Sequence, residues 1–536
     1  MKILVVTGGV LSGLGKGVAG ASLGFLLNDE FKIVPVKLDG YLNSDPGTMN
    51  PTEHGEVFVL DDGSEVDMDF GHYERFLNDT SSSEQSITMG KIYYEIWKRE
   101  REGKYLGKTV QLIPHVTNLI KEKILDIGKK KNADILLVEV GGTIGDLETE
   151  LFVEALRQLK SDLNNKNDIV FVHLTYVPIP YGVKEQKTKP TQQSVKLLKE
   201  KGISPDFILA RCSAPLLQKN KEKIALFADL NINNIISAPD VDNIYKIPII
   251  FEEQKLGESI AEKFNLNYKR SSRYDYLNEA LKRKHERKVN IVIAGKYMEL
   301  EDSYASIIET LKHCELKFNV DVEIKFLDSS KEIDLDILKK ADGVIVPGGF
   351  GERGVEGKIE VIKYIRENNI PFLGICYGMQ LAVVEFARHV CNLSNANTTE
   401  IDKDTKFPVI SLLDEQKNVI NLGGTMRLGT YDAIISKSKI KDVYVKTNNF
   451  KIDNGETIIC ERHRHRYEVN PKFHKTLEDN GLNIVGKGKN GLAEFIEIPK
   501  LKYFVATQGH PELKSKPDNP APLFYGLFEA ILNSNN

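Results

Sequence analysis

Short apolar runs alternate with longer helix-like stretches along most of the chain. In the first half, the runs that predict buried strands are 3–7, 33–38, 134–139, 169–174, 207–211 and 234–238. In the second half they are 289–295, 343–346, 370–373 and 503–508. Helices are predicted at 18–27, 219–226 and 379–388. Because strands that alternate with helices pair in parallel, the pattern predicts an α/β protein with mostly parallel, doubly wound sheets.

The chain is too long for one hydrophobic core, and its composition changes near the middle. It has 536 residues, which predicts two or three domains. Residues 267–288 are dense in lysine and arginine, and we interpret them as a solvated linker helix rather than a nucleic-acid patch. The predicted domains are therefore 1–266 and 289–536, joined by this linker.

Composition and charge are those of an ordinary globular protein. The hydrophobic share is 41%, the charged share 28% and the net charge −4, which gives no footprint for nucleic acid or an anionic membrane. The five cysteines are scattered and form no CxxC pair, which indicates a reducing cytoplasm, no disulfide framework and no zinc site. We expect no signal peptide, and no apolar run approaches the ~18 residues of a membrane helix.

A glycine-rich loop links the first predicted strand to the first helix. It spans 8–17 and contains Lys16. In such a loop, backbone N–H groups and the helix N-terminus hold phosphate, and the lysine reaches the outer phosphates. The loop is not a regular Walker A sequence, because Gly9 and Gly15 are one residue too far apart and Gly17 replaces the metal-binding Ser or Thr. Any magnesium ligands must lie elsewhere, and a chance glycine loop is the alternative.

Two carboxylates are the candidate magnesium ligands. Glu139 ends the apolar run 134–139 and precedes two glycines, as in a Walker B strand. Asp69 lies in the acidic stretch 67–75, in which Asp67 is the carboxylate most easily mistaken for the ligand. Hard cations take oxygen ligands and bridge phosphates, which suits both residues. A solvated acidic loop is the alternative for Asp69.

A second anion site is predicted at the loop 186–193, which places Lys187 and Lys189 among hydroxyl and amide side chains. Such a set suits a second phosphorylated ligand. The signal is weak alone, because lysine loops are common on surfaces. Lys223 lies on the predicted helix 219–226.

The strongest chemical signal is Gly374-x-Cys376-x-Gly378, between the apolar run 370–373 and the helix 379–388. Strand, tight turn and helix form a nucleophile elbow with cysteine in place of serine. The turn points the sulfur at the positive end of the helix, which favours thiolate. A buried structural cysteine is the alternative interpretation.

Partners for this cysteine follow the neighbouring strands. The glycine turn 347–351 can aim backbone N–H groups at an oxyanion, with Gly348 in the turn and the Tyr377 N–H as second donor. His510, after the last strand, is the predicted base, and Glu512 is predicted to orient its imidazole. A nucleophile, a base and an orienting carboxylate on one sheet together indicate nucleophilic catalysis.

Two further stretches have open interpretations. Residues 462–467 form a dense basic cluster that can bind a carboxylate or phosphate, or can be a charged surface hairpin. Residues 423–429 have the composition of a flexible loop with one cation, which is typical of a lid.

Together these motifs resemble the CTP synthase family. The resemblance rests on 8–17, 187–192, 347–351, the Cys376 elbow, 462–467 and 510–512, in the family's order from residue 6 to about 523. It implies a P-loop, dethiobiotin-synthetase-like amidoligase domain followed by a class I glutamine amidotransferase domain. The triad alone would imply only the second domain.

The resemblance also implies an activity. Members of the family are ligases that make CTP from ATP, UTP and L-glutamine with Mg²⁺. Glutamine is hydrolysed through a Cys376 thioester, and the ammonia released as this thioester forms crosses near His54 and Val57. ATP phosphorylates O4 of UTP, and ammonia then displaces the phosphate. GTP activation, CTP inhibition and a homotetramer are implied as well, filaments are compatible with it, and neither nucleic acid nor membrane is a partner.

By the same resemblance, residues are assigned to particular ligands. The ATP site takes Gly13, Leu14, Gly15, Lys16, Gly17, Val18, Asp69, Pro239, Asp240 and Val241, and Mg²⁺ takes Asp69 and Glu139. The shared UTP and CTP site takes Ser12, Lys187, Thr188, Lys189, Pro190, Thr191, Gln192 and Lys223. Inhibitory CTP takes Asp146, Leu147 and Glu148. Glutamine takes Gly349, Tyr377, Gly378, Met379, Gln380, Glu400 and Arg466.

Three glycines depart from the family pattern, namely Gly13, Gly40 and Gly509, where Ser, Pro and Phe are usual. Gly509 precedes the predicted base, so we hypothesise that it loosens His510 and slows glutamine hydrolysis. Two alternative functions remain. A cobyrinic-acid-type P-loop amidase is disfavoured by 187–192, and a catalytically silent, nucleotide-gated filament protein is disfavoured by the complete triad and by Lys16.

Overall fold

The chain folds into two compact units, which confirms the α/β, two-domain prediction. The structure is a computed structural model that describes residues 1–49, 55–285, 287–296, 301–412 and 426–533. Its internal contacts divide the chain into Met1–Pro46 with His72–Leu281, and Gly47–Gly71 with Lys282–Asn536. We call these the first and the second unit.

Seven parallel strands form the sheet of the first unit. The first nine strands of the chain are β1 (Lys2–Gly8), β2 (Ile33–Asp39), β3 (Phe58–Val59), β4 (Glu65–Val66), β5 (Ser86–Thr88), β6 (Ile135–Val140), β7 (Ile169–Tyr176), β8 (Phe207–Cys212) and β9 (Ile235–Pro239). All except β3 and β4 pair in the order β5-β2-β6-β1-β7-β8-β9. In β1, β2, β6 and β7 almost every residue is buried, as expected for parallel strands covered on both faces.

Helices cover this sheet, and their apolar residues explain where they pack. They are α1 (Lys16–Leu27), α2 (Asp69–Leu77), α3 (Met89–Arg101), α4 (Thr117–Lys131), α5 (Glu150–Asp162), α6 (Lys189–Glu200), α7 (Gln218–Ala228), α8 (Lys246–Glu253), α9 (Leu256–Lys263) and α10 (Ser272–Lys282). In α5 the buried residues Phe152, Leu156 and Leu159 repeat at helical spacing, so one face joins the core.

The predicted linker is a helix, but it is not solvated on all sides. Helix α10 buries Tyr274, Leu277 and Ala280, which share one helical face. Its contacts assign most of α10 to the first unit. Of the charged residues that suggested a linker, Arg273 and Lys282 lie in α10, whereas Arg287 and Lys288 begin β10.

Residues 47–71 belong to the second unit by contacts, although they fall within the predicted domain 1–266. They carry the antiparallel hairpin of β3 and β4. Asp61 pairs with Arg462 at 2.6 Å, and Glu65 pairs with Arg464 at 2.7 Å. These pairs join residues about 400 positions apart, a relationship that no local pattern in the sequence indicates.

The second unit is built on a ten-stranded sheet in the order β11-β10-β12-β13-β22-β21-β20-β16-β18-β17. The remaining strands of the chain are β10 (Arg287–Gly295), β11 (Val320–Asp328), β12 (Gly343–Val346), β13 (Phe372–Ile375), β14 (Ala396–Thr398), β15 (Phe407–Ser411), β16 (Arg427–Ile435), β17 (Lys451–Asp453), β18 (Glu456–His465), β19 (Glu468–Val469), β20 (Asn483–Gly488), β21 (Ala493–Glu497) and β22 (Phe504–Thr507). Pairing is parallel from β11 to β22 and antiparallel from β22 to β17. The antiparallel half is a feature that the strand–helix alternation does not predict.

Helices cover both faces of the parallel half. The helices of the second unit are α11 (Ala305–Phe318), α12 (Leu335–Lys339), α13 (Val355–Asn368), α14 (Tyr377–His389), α15 (Lys439–Lys446), α16 (His474–Asp479) and α17 (Pro522–Leu532). Residues of α13 and α14, such as Ile362 and Leu381, join one core cluster, whereas Leu311 of α11 and Leu527 of α17 join another. This doubly wound arrangement fixes the carboxyl ends of β12, β13 and β22, where the predicted catalytic residues lie.

Candidate active sites

The glycine loop of the first unit has the tight backbone that its sequence predicts. Gly13 and Gly15 have φ of 73° and 87°, in the left-handed region that favours glycine, and Gly15 directly precedes α1. A Cβ on Gly9 would stand 1.6 Å from Ser194 Oγ, so only glycine fits there. The loop therefore delivers its backbone to the N-terminus of α1, where an anion binds most favourably.

The side chain of Lys16 extends from this loop toward the turn that follows β6. Its Nζ donates a hydrogen bond to the Gly142 carbonyl at 2.7 Å. Burial lowers the pKa of Lys16, the charge of Glu139 opposes this shift, and Lys37 reinforces it. Lys16 thus belongs to a charged cluster at the carboxyl edge of the first sheet.

Glu139 is the carboxylate at the centre of that cluster. It is 1% exposed, its Oε1 lies 3.4 Å from Lys37 Nζ, and the Tyr73 hydroxyl donates to its Oε2. Asp39, which the sequence analysis did not select, is also buried and lies 3.9 Å from Lys37 Nζ. The available signal was its position at the end of β2, which pairs with β6. Two oxygen-donor carboxylates at one sheet edge fit the chemistry of Mg²⁺.

Asp69 has a different setting. It begins α2, so the stretch 67–75 is largely helical and not a solvated loop. Its backbone N–H donates to Asp67 Oδ1 at 3.1 Å, which gives Asp67 a role at the start of the helix. Contacts assign Asp69 to the second unit and Glu139 to the first, so their joint binding of a metal remains a prediction.

A cavity of about 140 Å³ adjoins the glycine loop. Six residues assigned to ATP line it, namely Leu14, Gly15, Val18, Pro239, Asp240 and Val241. Arg211, which the sequence analysis missed, closes one side. Its Nε pairs with Asp240 Oδ1 at 2.9 Å, and its Nη1 donates to the Leu14 carbonyl at 2.7 Å. The cavity is small and largely apolar, as a base-binding pocket beside a phosphate loop would be.

The predicted lysine loop is only partly a loop. Residues 189–193 form the first turn of α6, because Pro190 suits the start of a helix. Gln186 fixes the preceding segment, since its Oε1 accepts from the Leu217 N–H and from Asn220 Nδ2, both at 2.9 Å. The Thr191 hydroxyl donates to the Tyr176 carbonyl and is fully buried.

Three lysines converge on the exposed carboxylate of Glu185. Lys187 donates to it at 2.7 Å, and this hydrogen bond, with the charges of Lys187, Lys219 and Lys223, lowers the pKa of Glu185. The site therefore stabilises a negative charge between the start of α6 and α7. That is the electrostatic requirement for the predicted triphosphate group.

The turn that follows β6 holds the residues assigned to inhibitory CTP. Asp146 Oδ2 accepts from the Thr143 N–H at 2.7 Å, and Leu147 is 80% exposed. A Cβ on Gly40 would stand 2.8 Å from Glu148 Cβ, so the glycine permits close approach of this turn. The departure at Gly40 thus has a local packing explanation.

In the second unit, Cys376 occupies a sharp turn between β13 and α14. Its backbone has φ 51° and ψ −103°, a conformation that non-glycine residues rarely adopt. A Cβ on Gly378 would stand 2.0 Å from the Val346 carbonyl, and one on Gly374 would stand 2.9 Å from Ala506 Cβ. The two glycines are needed because β12 and β22 approach the turn so closely.

His510 lies beside this elbow. Its Nδ1 is 2.7 Å from Glu512 Oε1, and its Nε2 is buried and makes no hydrogen bond to any residue that the structure describes. Burial alone would lower the pKa of His510, but the charges of Glu512 and Cys376 outweigh it and raise this pKa well above its usual value. The geometry therefore favours an imidazolium beside the sulfur.

Gly348 completes the predicted set. A Cβ added to it would stand 3.1 Å from His510 Cε1 and 3.7 Å from Cys376 Cβ. The glycine turn thus lies directly against base and nucleophile, where a side chain would crowd the reacting atoms. This is the position required of an oxyanion-binding turn.

A cavity of about 490 Å³ contains the triad. Its lining includes the predicted residues Gly348, Gly349, Cys376, Tyr377, Gln380, Glu400, Arg466, His510 and Glu512. Glu400 Oε1 accepts from the Gly351 N–H at 2.7 Å and so ties the glycine turn to the lining. Gly378 and Met379 do not line the cavity, and Met379 is fully buried in the core. Gly47, Glu56 and Val57 also line it, whereas His54 lies outside the described residues.

Gln508 was missed by the sequence analysis. It is fully buried, and its Nε2 lies 3.7 Å from Cys376 Sγ. Its Oε1 accepts from Gln380 Nε2 at 3.2 Å, so it links nucleophile and cavity wall. The available signal was its position two residues before His510 on the same strand end.

The basic cluster 462–467 is not a charged surface hairpin. Arg462 is fully buried, and His463 and His465 are nearly so. The lid interpretation of 423–429 is wrong for Arg427, Leu428 and Gly429, which begin β16, while 423–425 lie outside the described residues. Arg427 is held in the strand because it pairs with Glu468 and Glu494, both at 2.8 Å.

The two units therefore define a class of protein. A phosphate-binding loop on a parallel sheet is joined in one chain to a Cys–His–Glu site on a second sheet, as in a synthetase fused to a glutamine amidotransferase. Among the residues that the structure describes, no helix has the length and apolar character needed to cross a membrane.

Comparison with known proteins agrees with this class. A family model described as the CTP synthase N-terminus matches residues 2–266, and one described as glutamine amidotransferase class-I matches residues 299–530. The CTP synthase of Borreliella afzelii is 51% identical over 540 residues, with 99% of each chain covered. That of Methanocaldococcus jannaschii is 48% identical over 546 residues, covering 99% of this chain and 98% of its own.

Among solved structures, the glutaminase domain of Trypanosoma brucei CTPS with bound acivicin is similar to this chain. The match has 34% identity and a TM-score of 0.42, and it covers 46% of this chain and 94% of that domain. The chain belongs to the CTP synthase family, whose members are ligases.

Proposed function

We propose that this protein aminates UTP to CTP, using ATP and ammonia released from L-glutamine. The observation that carries the proposal is the Cys376–His510–Glu512 arrangement, which shares one chain with the Lys16 loop and its carboxylates. Family membership over the whole length supports it. The loop 187–192 disfavours a cobyrinic-acid-type amidase, and the complete triad together with Lys16 disfavours a silent filament protein.

Glutamine hydrolysis takes place in the 490 Å³ cavity. The Cys376 thiolate attacks the side-chain amide, and the backbone N–H groups of the glycine turn and of Tyr377 hold the oxyanion. His510 gives its proton to the leaving nitrogen, so ammonia departs and a thioester remains. Water, deprotonated by His510, then releases glutamate. Glu400 and Arg466 suit the charged ends of the amino acid.

CTP formation takes place at the carboxyl edge of the first sheet. Lys16 and the loop N–H groups hold ATP, while Lys187, Lys189 and Lys223 hold the triphosphate of UTP. O4 of UTP takes the terminal phosphoryl group, ADP is formed, and ammonia attacks C4 with loss of phosphate. Glu139, with Asp39 and Asp69, would hold Mg²⁺, which neutralises phosphate charge when bound.

Ammonia must travel between the two reactions without taking up a proton. Val57 lines the same cavity as Cys376 and comes from the segment 47–71 of the N-terminal half. A route past Val57 and His54 is therefore part of the proposal. Val57→Trp should lower glutamine-dependent CTP formation and leave glutamine hydrolysis intact.

Regulation and assembly follow from the family. GTP is proposed to activate glutamine use, and CTP to inhibit at Asp146, Leu147 and Glu148. A homotetramer is proposed because Tyr94, Trp97 and Leu112 leave an apolar surface on and near α3, at 65%, 61% and 54% exposure. Trp97→Lys should lower the mass measured by light scattering, and an unchanged mass would contradict this interface.

The test mixes purified protein with ATP, UTP, Mg²⁺ and glutamine, with or without GTP, and measures CTP by chromatography. CTP should form, faster with GTP and more slowly after CTP is added. ATP hydrolysis that does not depend on UTP, without CTP, would refute the proposal.

A further inference from the structure

Lys358 is a buried lysine next to the glutamine cavity. It lies in the first turn of α13 and is 2% exposed. Lysine is almost never fully buried unless a carboxylate pairs with it. Within the described part of the chain, Lys358 Nζ makes no ion pair and no hydrogen bond, so no carboxylate is paired with its charge.

The groups around Lys358 belong to the glutamine site. Its Nζ lies 5.4 Å from the centre of the Tyr377 ring and 3.6 Å from the position that a Cβ on Gly349 would take. Gly349 is in the glycine turn, and Tyr377 follows the nucleophile. Lys358 does not line the cavity itself, so it acts from behind these two residues.

Electrostatics agree with this position. Burial lowers the pKa of Lys358 to about 7, Lys296 reinforces the shift, and Cys376 opposes it. The charged and titratable groups that face Lys358 are thus Lys296 after β10 and Cys376 and Tyr377 at the start of α14. A negative charge at Cys376 favours the ammonium form, as does the face of the Tyr377 ring.

Glutamine hydrolysis passes one negative charge through two successive anions in this cavity, first the thiolate and then the tetrahedral oxygen. Both arise at the reacting centre that Lys358 approaches through Gly349 and Tyr377. In a buried site a fixed positive charge stabilises such anions more strongly than it would in water. If Lys358 only filled space in the core, an apolar side chain of similar length, such as methionine, would serve equally well.

We propose that Lys358 is a positioning residue for glutamine hydrolysis. From behind the glycine turn 347–351, its ammonium charge stabilises the anion formed at Cys376. The inference rests on the proposed glutaminase role of Cys376. It adds a residue that contacts neither glutamine nor sulfur directly but sets the electrostatic potential at both.

The test compares Lys358→Met with Lys363→Met, a half-buried control on the same helix, in the full-length protein. Lys358→Met should lower kcat for glutamine hydrolysis about tenfold, with a smaller change in KM and no change in ammonia-dependent CTP formation. Iodoacetamide should alkylate Cys376 with a pH midpoint shifted upward. Lys358→Arg should restore part of the rate, and Lys363→Met should match the parent.

Stability separates this role from a structural one. Removing an unpaired buried charge should leave the unfolding temperature unchanged or raise it. A fall in unfolding temperature with equal loss of glutamine- and ammonia-dependent activity would overturn the proposal, as would an unchanged rate and alkylation profile. Cys376→Ala distinguishes the two hypotheses. If Cys376→Ala still hydrolyses glutamine, the proposed function fails. If Cys376→Ala stops glutamine hydrolysis but Lys358→Met leaves its rate unchanged, only the inference about Lys358 fails.

Discussion

His510 Nδ1 and Glu512 Oε1 lie 2.7 Å apart at the carboxyl end of β22, and both side chains line the cavity that holds Cys376. The carboxylate fixes the tautomer of the ring and stabilises its protonated form. Because burial opposes protonation here, the raised pKa of His510 depends on this carboxylate and on Cys376. The protonation state of His510 thus depends on both of its charged neighbours.

Glu512→Gln should lower glutamine-dependent CTP formation by about a hundredfold, because the neutral amide no longer stabilises the imidazolium. The pKa of His510 should fall, so the ascending limb of alkylation of Cys376 should move to higher pH. Ammonia-dependent CTP formation should not change. Glu332→Gln, at an exposed position, is the control, and equal rates for the two variants would contradict the assigned role.

Lys16→Ala should stop CTP formation from both glutamine and ammonia, because the loop loses its only lysine for the outer phosphates. Glutamine hydrolysis without nucleotides should persist, since Cys376 belongs to the other unit. Exposed Lys129→Ala should leave all rates near those of the parent. Ammonia-driven turnover retained by Lys16→Ala would refute the phosphate role.

Gly509→Phe should lower the unfolding temperature and the glutamine-dependent rate together. A Cβ at Gly509 would stand 2.8 Å from Glu461 Cβ and 3.2 Å from the Arg462 carbonyl, so the strand must shift. His510 is already held there, because its N–H donates to that carbonyl at 2.7 Å. A faster glutamine reaction with unchanged ammonia-dependent activity would support the loosening hypothesis instead.

His173 should make the first unit acid-sensitive. It is fully buried between Thr7 Oγ1 and Ser194 Oγ, both at 2.8 Å, and burial lowers its pKa to about 3. Because the unfolded chain takes up the proton near pH 6.5, stability is complete above that pH and is lost as the pH falls toward 3. At pH 5.5 the loss should be about 1.4 kcal/mol.

The check is the urea-unfolding midpoint at pH 7.5 and pH 5.5 for the parent and for His173→Gln. The variant is less stable at pH 7.5 because it loses native hydrogen bonds, but its midpoint should change less between the two pH values. An equal change in both proteins would show that other groups cause the acid sensitivity.

Much of the chemistry was readable from the sequence because it depends on local backbone geometry. The Gly8–Gly17 loop and the Cys376 elbow are strand–turn–helix units. Gly374 and Gly378 of the elbow mark places where neighbouring strands leave no room for a Cβ, whereas Gly13 and Gly15 of the loop have positive φ. His510 and Glu512 are two residues apart, so their contact is also local.

What the sequence did not reveal depends on distant contacts. An arginine in a basic stretch is usually exposed, but Arg462 is fully buried and pairs with Asp61, 401 residues away. Lys358 and Gln508 carry no motif, and only packing places them beside Tyr377 and Cys376. The antiparallel half of the second sheet escaped prediction because three of its connections, β17 to β18, β20 to β21 and β21 to β22, contain no helix.

The most direct measurement of the central claim is CTP formation by Cys376→Ala with either glutamine or ammonium chloride at pH 8 as nitrogen source. The account predicts loss of all glutamine-dependent CTP and an ammonia-dependent rate within about twofold of the parent. If both rates vanish in a folded variant, or if glutamine still supports CTP formation, nitrogen release at Cys376 and its use at the nucleotide site are not the separate reactions proposed.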